Sequence, residues 1–142
     1  MSSSELLAEV RRWLRFAAED LHAAETLLTD ETFIPRHACW LAQQAAEKAL
    51  KGALASQGIQ FPFRHDLDAL RNLLPDGWEV KRQQPDLAEL TEWAVEARYP
   101  GDWPDPTVQD AQRAAKQARA VYDCVVADLE RHGVQIDDTG EH

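Results

Sequence analysis

Five side chains carry the chemistry to hold or process an anionic ligand: Lys48, Lys51, His65, Arg98 and Tyr99. His65, with an unperturbed pKa of about 6.5, can meet a phosphate or move a proton near neutral pH. Its structural alternative, which we favour, is to hydrogen-bond a neighbouring loop and fix the entry to the helix after Asp66. Arg98 can grip a phosphate while Tyr99 or Trp103 offers a stacking face. It is also the single base among the seven acids of residues 83–110. That balance favours Arg98 paired with a carboxylate, and Tyr99 and Trp103 plugging the end of the domain. Lys48, Lys51 and Arg98 could together line a groove that binds nucleotide without chemistry. Arg98 and His65 are the candidates for a catalytic pair.

Other chemistries find less support. Asp102, Asp105 and Asp110 lack the ligand spacing and glycine of a calcium loop and read as capping and turn acids. His37 and Cys39 have no partners at zinc spacing. Gly-rich phosphate loops and nucleophile elbows are missing. We therefore expect no metal and no cofactor. Cys39 and Cys124 sit in separate apolar helical stretches and read as buried free thiols in a reducing compartment.

The elements that must position these residues are helical. Leu6, Val10, Trp13, Ala17, Leu21, Ala24 and Leu28 recur at spacings of three and four, marking a first helix from about Ser4, its cap, to Leu28. Pro35 suits the first turn of a second helix that ends near Gln57, before Gly58. Alanines at 38, 45 and 49, with Gly52, predict an especially close neighbour there. Within this helix Gln43, Gln44, Glu47, Lys48 and Lys51 read by spacing as a solvated face, with Glu47 and Lys51 an i,i+4 pair. Asp66 caps a short helix, LDALRNLL, stopped by Pro75-Asp76-Gly77. Pro85-Asp86 opens a fourth helix reaching about Ala97. The corner ARYPGDWPDP follows, with three of the seven prolines. Thr107 then caps a last helix running to His132-Gly133. With no strand and no repeat, the expected fold is an all-α up-and-down bundle of four main helices plus a short one. It occupies residues 1–132, and 133–142 form a mobile tail.

The charge of −10 over 142 residues, with no basic stripe, argues against autonomous non-specific nucleic-acid binding. A local site for nucleotide or RNA stays open. No apolar run approaches the roughly 20 residues needed to span a membrane, and MSSSELLAEVRRW lacks the order of a signal peptide. We expect a cytoplasmic protein.

Four motifs in order carry a resemblance: AEDLHAAETLL, then QQAAEKALKGAL, then RHDLDALRNLL, then ARYPGDWPDP opening an alanine-rich helix. Over residues 6–130 the chain resembles a HEPN domain (higher eukaryotes and prokaryotes nucleotide-binding). The resemblance implies a four- to five-helix bundle that forms two-fold homodimers. It also implies pairing with a separately encoded minimal nucleotidyltransferase in toxin–antitoxin-like modules. Many relatives are metal-independent ribonucleases with an Arg-x(4–6)-His motif near the start of the last helix; others lack it and serve as binding modules. Here neither Arg98 nor Arg113 has a histidine at that spacing. The one match, Arg15 to His22, lies in the first helix, and with eleven arginines and five histidines in the chain about one such match is expected by chance. The resemblance therefore implies a non-catalytic binding module, with a degenerate ribonuclease or a nucleotide-binding module as alternatives.

Overall fold

A computed structural model describes residues 2–61, 65–94 and 104–136. Among them run six helices: α1 (Ser3–Leu27), α2 (Pro35–Ser56), α3 (Leu67–Asn72), α4 (Glu79–Gln83), α5 (Ala88–Thr91) and α6 (Val108–Arg131). The fold is all-helical, as the apolar periodicity requires.

Local chemistry sets the long helices' ends. Ser2, not Ser4, caps α1, its Oγ accepting from Glu5 N at 3.1 Å. Three successive serines offer near-equivalent caps, and Ser2 is the one that places Glu5 at the favoured third position. Pro35 occupies the first turn of α2. Thr107 and Asp110 form a reciprocal capping box on α6, with bonds of 3.0 and 2.8 Å.

α2 lies between α1 and α6 and forms the centre of the core. Its alanines 38, 42, 45, 46, 49 and 53 are all fully buried, and small side chains let both neighbours approach. At Gly52 an added Cβ would stand 3.2 Å from Trp13 Cβ and 3.3 Å from Leu14 Cδ2, so the close neighbour expected at this glycine is α1. α6 covers α2 with Ala111, Ala118, Val121, Val125 and Leu129. Glu25 of α1 accepts from Arg119 of α6 at 2.7 and 3.0 Å, linking the outer helices. After α6 the chain turns at Gly133 (φ 82°), and Arg11 of α1 donates to Gln135 O at 3.0 Å.

The short helices fill the remaining side. Asp66 caps α3 through Ala69 N at 3.1 Å, and Thr91 of α5 accepts from Leu67 N at 3.0 Å. Buried Arg71 ties Asp68 to Gln84 O, at 2.5 and 2.7 Å. α4 was not evident from spacing. Both its first amides donate to buried Asp128 of α6, each at 3.0 Å, and Trp78 before it stacks on His132 with centroids 4.6 Å apart. Among the described residues, the helix expected after Pro85-Asp86 is the single turn α5; the rest of that expectation, Val95 to Ala97, and the corner through Trp103 lie outside them.

Candidate functional site

Gln43, Glu47 and Lys51 stand one turn apart on α2, where their i,i+4 spacing aligns them on one stripe. They are 0, 5 and 9% exposed. The stripe is thus an interior seam and not the solvated face that spacing suggested. The reason lies in its flanks: buried alanines and leucines surround α2 on nearly every side, and a helix apolar all round is buried. That all-round apolarity was the available signal.

A buried carboxylate needs partners, and Glu47 has three. Lys51 Nζ donates to Oε2 at 2.8 Å, Gln43 Nε2 donates to Oε1 at 3.0 Å, and His65 Nδ1 lies 2.8 Å from Oε1. Burial pushes the Glu47 carboxyl up, but the bonds from Lys51, Gln43 and His65 outweigh it and hold it below the ordinary glutamate range. Gln43 Nε2 also reaches His65 O at 3.4 Å, and Gln44 Nε2 donates to Gln43 Oε1 at 2.7 Å. The Lys51 ammonium faces two aromatic rings as well, 5.7 Å from the Trp13 centroid and 5.6 Å from that of Phe61. Those rings meet edge to face at 6.0 Å. The seam therefore joins α2, α1 and the segment leading to α3.

The structure thus brings Lys51 and His65 together on Glu47. Lys48, three residues from Lys51, instead pairs with Asp20 of α1 at 2.5 Å. Both lysines of the expected nucleotide groove are thus matched to carboxylates. Arg98 and Tyr99 lie outside the described residues, as do Asp102 and Trp103. Arg15 pairs with Glu19 at 4.0 Å, and His22 Nε2 lies 3.5 Å from Thr26 Oγ1. Asp110 belongs to the α6 cap. Cys39 and Cys124 are buried thiols outside any disulfide, and burial pushes the Cys124 thiol up to about 11. Among the described residues no group of three or more His, Cys, Asp or Glu side chains is placed to hold a metal ion, and no helix is long and apolar enough to cross a membrane.

A carboxylate that orients a histidine can serve proton transfer. One that also neutralises a lysine and anchors a glutamine can serve as a strut. Glu47 makes the contacts of both kinds, to His65 and to Lys51 and Gln43.

The HEPN domain family model matches residues 10–131, nearly the whole helical body just described. The chain belongs to the HEPN domain family. TT1696 from Thermus thermophilus is similar in structure, with a TM-score of 0.72 at 29% identity over 85% of this chain and 98% of that one. ST0689, an archaeal HEPN homologue, aligns with a TM-score of 0.66 at 27% identity over the same shares. Comparison with curated proteins returns no match.

Proposed function

We propose that this chain is a non-catalytic binding and interaction module of the HEPN type. It works as a homodimer and partners a separately encoded minimal nucleotidyltransferase in a toxin–antitoxin-like pair. One observation carries the non-catalytic part. Gln43, Gln44, Glu47, Lys48 and Lys51 of α2 are each engaged within the chain, three donors converging on Glu47 and Lys48 lying on Asp20. Arg113 of the last helix has no histidine four to six residues on; it reaches Glu89 at 3.3 Å and also contacts Asp110. The acidic balance of the chain supports a protein partner over autonomous RNA binding. Light scattering of the chain alone and with that nucleotidyltransferase tests the reading. A strict monomer that recruits no nucleotidyltransferase would sink it.

The His65–Glu47 pair favours a second reading, a degenerate ribonuclease in which His65 acts as base and Arg98 stabilises the phosphate. RNA cleavage by the wild type that falls at least tenfold in both His65→Ala and Arg98→Ala would establish it. Equal background with all three proteins would remove it.

A further inference from the structure

The outer face of α1 carries an ordered stripe that neither α2 nor α6 covers. Ala8, Arg12, Phe16 and Glu19 are exposed and Ala23 half-buried, and they recur at spacings of four, four, three and four, which is one helix face. Phe16, at 40% exposure, is among the most exposed large apolar side chains of the described residues. Arg15 lies over its ring at 5.1 Å. Beside it runs a groove of about 220 Å³ lined by Glu9, Arg12, Trp13 and Phe16.

The charge order along this stripe decides what fits it. Arg12 precedes Phe16 and Glu19 follows it, Arg12 and Glu19 standing about 10.5 Å apart along the axis. An identical helix laid antiparallel, with its two-fold axis between residues 15 and 16, brings opposite ends together. Arg12 then faces the partner's Glu19, and Glu19 faces the partner's Arg12. Ala8 meets the partner's Ala23 at each end of the pair, where small side chains leave no clash. Glu9 meets the partner's His22, and the two Arg15–Phe16 pairs stack at the centre. A two-fold interface requires this reciprocity, residue i contacting j while j contacts i. A purely acidic or purely basic partner would match only one half of the stripe and be repelled by the other.

We infer that the outer face of α1 is the homodimer interface, its occupant a second copy of this chain in antiparallel register about residues 15 and 16. This rests on the homodimer reading above and adds the surface to it. A single helix pair lies at or below the small end of specific interfaces, about 1,200 Å² in total, so dimerisation is expected in the micromolar range.

Charge exchange tests it, by light scattering and sedimentation across concentrations, with circular dichroism showing that helicity is unchanged. Wild type is expected to form dimers. Arg12→Glu and Glu19→Arg, each placing two like-charge contacts in the interface, are expected to weaken the dimer about tenfold or more. The double variant R12E/E19R restores the opposite pairs and is expected to regain most of the wild-type affinity. A dimeric wild type whose single variants dimerise equally well would overturn this surface while leaving the homodimer reading standing. So would single variants that weaken the dimer with no recovery in the double. A monomeric wild type would overturn both. A monomer that binds a single-stranded oligoribonucleotide, with binding lost in Arg12→Glu, would reassign the face to nucleic acid.

Discussion

Glu47 is the residue on which the candidate site turns, because burial makes its charge costly and three donors offset that cost. Glu47→Gln leaves a buried Lys51 without its counter-ion and His65 without its carboxylate. A loss of about 3 kcal/mol is expected in urea unfolding, since breaking a buried pair strands the remaining charge. Lys48→Ala removes a more exposed pair and is expected to cost under about 1 kcal/mol. The pH dependence has a definite sign. The folded carboxyl titrates below its unfolded value, so its stabilising contribution is complete above about pH 4.3 and is lost as pH falls through the lower folded value. Stability measured against pH is expected to drop less steeply on this acid limb in Glu47→Gln; identical limbs would contradict the assigned partners. From sequence alone the chemical types of this site could be named, Lys51 and His65 among them. Their meeting could not: Glu47 and His65 are 18 residues apart on different elements, and no periodicity links them.

At the scale of elements, the close seam of α1 and α2 sits at Gly52. Gly52→Ala gains about 1 kcal/mol of helix propensity, but its methyl meets Trp13 Cβ, which is fixed to the α1 backbone. Overpacking of this kind costs about 1–3 kcal/mol, and net destabilisation is expected in denaturant titration. A variant more stable than wild type would mean that the helices can part at no cost. Asp128 presents a different case, since one buried carboxylate of α6 accepts both amides that start α4. Asp128→Ala is expected to cost about 2–3 kcal/mol, two orphaned donors being left near the core. Hydrogen exchange at Glu79 and Val80 is expected to quicken more than exchange within α2. These elements differ in how legible they were. α1, α2 and α6 announce themselves through apolar spacing and through serine, proline and threonine at their starts. α4 is five residues, EVKRQ, with no apolar stripe, and its cap comes from 49 residues further along the chain.

For the molecule as a whole, the HEPN family and its all-helical body were readable because four weak motifs kept their order and spacing. What the chain assembles with was not, since assembly depends on surfaces that periodicity does not rank. The proposed association with proteins rests on the acidic balance, the engaged polar seam and the charge-ordered face of α1. The most direct measurement is the mass, by light scattering, of the complex formed when this chain is co-expressed with the product of the neighbouring gene, which the proposal expects to be a minimal nucleotidyltransferase. The account expects a single species containing two copies of this chain with the nucleotidyltransferase bound. A monomeric chain eluting alone, or a neighbouring gene that encodes no such protein, would contradict it.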